Sequence, residues 1–167
     1  MITNQEFNDS IEEFISIILE NLKLKGTDFG FSVGNHYVNK WATNKMYSFI
    51  SVSVKRLRID FTISFDDLYN VPLFNMRLYD NDTFLTSPMT QNTLAVGLSA
   101  VDLQNHHLFH QPWLQVHPCE TSQTIDDHLK NFPVCKYNSG IQYLCCWFGL
   151  YGLPCIFPQF SVRPNIY

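Results

Sequence analysis

The feature that most constrains this chain is a change of hydrophobic period near residue 29. From Phe7 to Leu22 the apolar residues Phe7, Ile11, Phe14, Ile15, Ile18 and Leu22 recur at steps of three and four, with Glu12, Glu13 and Glu20 between them. That spacing puts one apolar stripe on an α-helix. Thr3 and Glu6 have the spacing of a capping box, and Lys23, Lys25 and Gly26 predict a stop at Gly26. Beyond it the period falls to two. Phe29, Phe31 and Val33 alternate, as do Ile50, Val52 and Val54, then Leu57, Ile59, Phe61, Ile63 and Phe65. These are the marks of half-buried strands.

The last two runs have opposite parity, so something resets the pleat near Lys55. No Gly, Pro, Asn or Asp lies between Val54 and Leu57. A β-bulge in one long bent strand is therefore the expectation, rather than a hairpin. Strands are also predicted from Leu73 to Tyr79 and from Pro112 to His117. After Cys119, Thr124 is a candidate cap for a short helix with Ile125, Leu129 and Phe132 apolar, and Asn138 or Ser139 for another that buries Ile141, Leu144, Cys145 and Phe148 and stops at Gly149. The tail through Pro154, Pro158 and Pro164 reads as extended. Helix, consecutive strands, then helices, with connections too short for βαβ crossovers, predict an α+β fold with a mainly antiparallel sheet.

A chain of 167 residues with 46 % apolar and 15 % aromatic side chains supports one domain, residues 1–167, with a substantial core. The net charge of −4 gives no general attraction to nucleic acid or anionic membranes. No apolar run is long enough to span a bilayer and no secretory signal opens the chain, so a cytoplasmic setting is expected. The 5 cysteines include no C-x-x-C pair, which disfavours a zinc ribbon or a disulfide framework.

The densest chemical cluster is Gln111-Pro112-Trp113-Leu114-Gln115-Val116-His117-Pro118-Cys119-Glu120-Thr121. A strand runs there into a Pro-stiffened corner and delivers a cysteine. In extended backbone His117 and Cys119 share a face, and an adjacent imidazolium or backbone N–H groups would favour the nucleophilic thiolate. Spacing alone equally allows a packed core cysteine, and that is the more economical account. Burial explains Cys145, Cys146 and Cys155, whereas Cys135, beside Lys136, is the rival nucleophile. His106, His107 and His110 suggest a metal cluster, yet their spacing matches no ligand signature, and a solvated loop is the simpler interpretation. A papain-like Cys–His–Asn set is formally available too, but His and Asn are too plentiful here to discriminate it.

Three motifs in order shift this balance. His117-Pro118-Cys119-Glu120-Thr121, preceded by Gln111-Pro112-Trp113, resembles the active-site motif of the E2-like conjugating enzymes of autophagy. Tyr69-Asn70-Val71-Pro72-Leu73 is similar to that family's Tyr-x-x-Pro strand opening, and Ser87-Pro88-Met89-Thr90 to its Pro-Leu/Met-Thr turn. The likeness covers Tyr69 to Thr121 in detail and favours the protein-conjugating branch over the lipid-conjugating sibling, autophagy-related protein 3. It implies an E2-like fold: an N-terminal helix, a mainly antiparallel twisted sheet and short C-terminal helices.

The resemblance further implies an enzyme that needs no metal or organic cofactor. Cys119 would take a ubiquitin-like modifier, autophagy-related protein 12, as a thioester from the E1-like autophagy-related protein 7. It would pass it to a lysine of autophagy-related protein 5, in the cytoplasm or at autophagosome assembly sites. Ordinary ubiquitin-conjugating enzymes carry His-Pro-Asn, and here Cys119 stands where that asparagine would be. Tyr69 is the candidate to support the acceptor or the oxyanion in its place, with a turn-anchoring role as the alternative. His117 fits a structural brace for the Pro118 corner better than a general base. A non-catalytic scaffold of the same fold and a cysteine hydrolase are the competing functions.

Overall fold

The computed structural model describes residues 1–86, 101–116, 121–130, 137–157 and 160. Helix α1, Asn4–Phe29, opens with the expected capping box: Thr3 Oγ1 accepts from the Glu6 N–H, and Glu6 accepts from the Thr3 N–H. Thr3 thereby holds the Glu6 carboxyl below its ordinary range. The helix does not stop at Gly26. It continues to Phe29 and ends at Gly30, whose φ of 69° places it in the left-handed region and whose N–H donates to Gly26 O. Phe29 is thus the last helical residue, not the first of a strand. Gly26 is small for another reason: a Cβ there would lie 2.6 Å from Phe31 O, where the chain turns back along the helix.

The strands are β1 Phe31–Ala42, β2 Lys45–Val54, β3 Leu57–Asp66, β4 Val71–Asp80, β5 Thr83–Leu85, β6 Val101–Asn105 and β7 Pro112–Val116. They form one sheet in the order β1-β2-β3-β4-β7-β6, with β5 also on β4, and every pairing is antiparallel. The expected bulge at Lys55 is a tight hairpin instead: Val54 pairs with Leu57, and Lys55 takes a φ of 54°. A lysine makes this turn because its neighbours hold it. Asn81 N–H donates to Arg56 O at 3.0 Å, and Arg56 Nε lies 3.1 Å from Asp80.

Helices α2 Thr121–Lys130, α3 Ser139–Tyr151 and α4 Leu153–Ile156 complete the described chain. α2 begins at Thr121, so Thr124 lies inside it rather than capping it. Ile125 and Leu129 fall on one face wherever the helix starts, and no residue before Thr124 breaks it. Asn138 caps α3 by accepting from Ile141 N–H at 2.9 Å, as expected. α3 then passes through Gly149 to Tyr151 and is closed by Gly152 N–H on Phe148 O. An internal glycine costs only about 1 kcal/mol, less than the burial of Trp147 and Phe148 contributes. Leu153 to Ile156, expected to be extended, form a helical turn with Pro154 near its start.

Phe7, Ile11, Phe14 and Ile18 of α1 and Leu144, Trp147 and Phe148 of α3 pack on one sheet face made of Ile50, Val52, Ile59, Phe61, Ile63, Phe74 and Met76. Phe148 meets Phe14, Phe61 and Phe74. Because side chains alternate along a strand, Thr62 points to the opposite face. The connection between β6 and β7 crosses there: His106 is 1 % exposed against Thr62 at 0 %, and Phe109 meets Tyr47 and Trp113.

Candidate active site

Two strands lead to the residues singled out by sequence. β4 begins at Val71, just after the Asp67 to Asn70 turn, and β7 ends at Val116, one residue before His117. Asn75 pairs with Gln115 and Met76 with Leu114. Since the pair is antiparallel, β7 runs toward the N-terminal end of β4, where Tyr69 stands. His117 and Cys119 lie outside the described residues, as do Ser87 to Thr90 and Cys135.

Tyr69 is held by its backbone. Asp66 Oδ1 accepts from Leu68 N–H at 2.7 Å and from Tyr69 N–H at 2.9 Å, an Asx-type turn, and Asn70 supplies the positive φ, 52°, that brings the chain into β4. An ion pair between Lys45 and Asp67 braces the same turn, with the ammonium 5.2 Å from the Trp41 ring. The Tyr69 side chain is 48 % exposed. Among the described residues, none takes up its hydroxyl.

Of the three histidines, His107 and His110 are exposed, as a solvated loop requires, but His106 is not. His106 is buried, and its Nδ1 accepts from Leu108 N–H at 3.0 Å. A backbone N–H can only donate, so Nε2 carries the ring proton and donates to Thr62 Oγ1 at 2.8 Å. Burial, with smaller contributions from His107 and His110, pushes the His106 pKa down to about 3, which keeps the ring neutral. Its own main chain closes the connection: His106 N–H donates to Gln111 O and His110 N–H to His106 O, both at 2.9 Å. Among the described residues, no group of three or more His, Cys, Asp or Glu side chains is placed to hold a metal ion.

Cys145 and Cys146 are half-buried on α3 against the core, and burial pushes the Cys146 thiol up, away from the thiolate. No helix among the described residues is long and apolar enough to cross a membrane. His106 and Thr62 were not legible as a pair. The only signal was that Thr62 lies on the sheet face opposite Phe61 and Ile63 and required cover.

An N-terminal helix and C-terminal helices packed on one face of an antiparallel sheet define an E2-like α+β fold. The same fold occurs in a protein described as "Solution structures of KmAtg10", with a TM-score of 0.64 and 19 % sequence identity over 96 % of this chain and 99 % of that one. Residues 6–160 match the family "Autophagocytosis associated protein, active-site domain". The chain is also 83 % identical, over all 167 of its residues and 94 % of the relative, to "Ubiquitin-like-conjugating enzyme ATG10" of Candida albicans (strain SC5314 / ATCC MYA-2876). The chain therefore belongs to this family and is an E2-like ubiquitin-like-conjugating enzyme of autophagy.

Proposed function

We propose that the chain, as a single conjugating domain, carries its modifier as a thioester on Cys119. The supporting observation is the course of β7, whose last residue, Val116, directly precedes His117-Pro118-Cys119 and whose direction is toward the Tyr69 end of β4. In the first step the Cys119 thiolate attacks the carbonyl of the modifier's C-terminal glycine, held as a thioester on the E1-like enzyme. A new C–S bond forms on Cys119 and the E1 cysteine leaves as a thiolate. In the second step a deprotonated lysine amine attacks the same carbonyl. The C–N bond forms, the C–S bond breaks, and Cys119 is released.

The modifier in this reading is autophagy-related protein 12, the activating enzyme autophagy-related protein 7, and the acceptor a lysine of autophagy-related protein 5. The chain's place in this family supports these assignments. Tyr69 serves the second step by hydrogen bonding to the acceptor or the oxyanion through its exposed hydroxyl. His117 braces the corner.

Incubation with the E1-like enzyme, ATP and modifier tests the first step. A reductant-sensitive adduct is expected from the wild type and none from Cys119→Ala; an adduct that persists in the variant defeats the assignment. Full conjugation by Cys119→Ala in cells would favour a scaffold, and cleavage of the modifier a hydrolase. For Tyr69, the Tyr69→Phe variant is expected to load normally and discharge about tenfold more slowly. Equal discharge removes Tyr69 from the chemistry.

A further inference from the structure

Among the described residues, the β6–β7 hairpin joins the rest of the sheet through little backbone pairing. Among the described residues only Asn75 with Gln115 and Met76 with Leu114 link β7 to β4, whereas β3 and β4 are paired in register from Leu57 with Asp80 to Asp66 with Val71. Beyond these two pairs, side chains hold the described part of the hairpin, Leu114 and Val116 in the core among them. Two polar side chains of the connection hydrogen-bond back to the sheet: Gln111, whose Oε1 accepts from Arg77 of β4 at 2.9 Å in an exposed position, and His106, whose bond is buried. From the β6–β7 connection its Nε2–H donates to Thr62 Oγ1 at 2.8 Å on β3, one strand beyond β4, and both residues are buried. Its Nδ1 and both main-chain groups are engaged within the connection, and its ring lies 4.9 Å from that of Trp113 on β7.

We propose that His106 is a positioning residue for conjugation: its bond to Thr62 fixes β7, whose last residue, Val116, precedes His117 in the sequence, relative to the Tyr69 end of β4. This rests on the assignment of Cys119 as the thioester carrier. Loading, in which the Cys119 thiolate meets a thioester carried by a separate and mobile E1-like enzyme, tolerates a small displacement of β7. Discharge requires the carbonyl, the amine and the supporting hydroxyl to meet within narrow limits, and small misplacements there are costly. The bond therefore acts mainly on the second step.

The pair can be separated from general stability because Thr62 permits a shape-matched test. Thr62→Val keeps the volume and removes the acceptor; Thr62→Ser keeps the hydroxyl. His106→Gln retains a donor toward Thr62 and serves as the second variant if Thr62→Val fails to fold. Each is charged with autophagy-related protein 12 by autophagy-related protein 7 and chased with saturating autophagy-related protein 5 in single turnover, alongside thermal unfolding.

The expectation for Thr62→Val is loading within about twofold of wild type and discharge slowed about tenfold, the scale of one lost buried hydrogen bond. Thr62→Ser should restore discharge. If His106→Gln stands in for Thr62→Val, its loading should match wild type while its discharge lies between wild type and the Thr62→Val expectation, because the fit of its amide is looser. Parallel slowing of both steps with a lowered Tm, or no slowing at all, overturns the inference. If wild type discharges normally from a residue other than Cys119, the carrier assignment fails instead, and the inference falls with it.

Discussion

A neutral imidazole with both nitrogens occupied leaves a signature in the pH dependence of stability. In the unfolded chain His106 takes up a proton near its ordinary 6.5, whereas in the folded chain it resists protonation down to about 3. Between these values the unfolded state binds more protons than the native one, so stability falls as the pH is lowered through this window and is unaffected above it. His106→Gln removes that dependence. Wild type should lose more Tm than this variant on going from pH 7.5 to 5.0, and parallel losses would show that His106 does not titrate as described. The same residue illustrates what a sequence conceals. Three histidines within His106 to His110 look like a solvated or metal-binding loop, and only the fold, by setting Thr62 beneath one of them, separates the buried His106 from its neighbours.

At the scale of elements, two of the chain's punctuation marks carry the opposite of their usual meaning. Gly26 resembles a helix stop but is an interior residue whose missing Cβ admits Phe31 O. In an ordinary helix interior Gly→Ala stabilises by about 1 kcal/mol. Here steric conflict with backbone wins, and Gly26→Ala should destabilise by about 1–3 kcal/mol in denaturant titration. A gain in stability would mean that the β1 connection relaxes freely. Lys55 is the converse case, a turn residue that carries no turn-forming chemistry. A non-glycine residue at a φ of 54° pays about 1–2 kcal/mol, partly offset in a glycine by greater unfolded-state entropy. Lys55→Gly should therefore raise stability by about 0.5–1 kcal/mol. No change would indicate that the lysine is not strained.

The helix starts at Thr3 and Asn138 were legible because capping is local chemistry. The length of β1 was not, since most of that edge strand is exposed and shows no alternation.

At the scale of the molecule, the α+β order was legible because the main core elements write their period directly into the sequence: α1 in threes and fours, β2 and β3 in twos. Pairing order was not, because β7 joins β4 across more than thirty residues of chain and no local signal encodes that contact. The candidate site divides in the same way. His117-Pro118-Cys119 and Tyr69 stand out as motifs and the Asp66 bonds of the Tyr69 turn are local, whereas the ion pair of Lys45 with Asp67 that braces this turn depends on tertiary structure.

The central claim is that one cysteine among 5 receives the modifier. The most direct measurement is to charge the full chain carrying Cys119→Ser, in which a thiol-resistant oxyester should accumulate, and to locate the modifier's C-terminal glycine by peptide mass mapping. The expected result is a single adduct at position 119. An adduct at Cys135, Cys145, Cys146 or Cys155 in place of it would contradict the account.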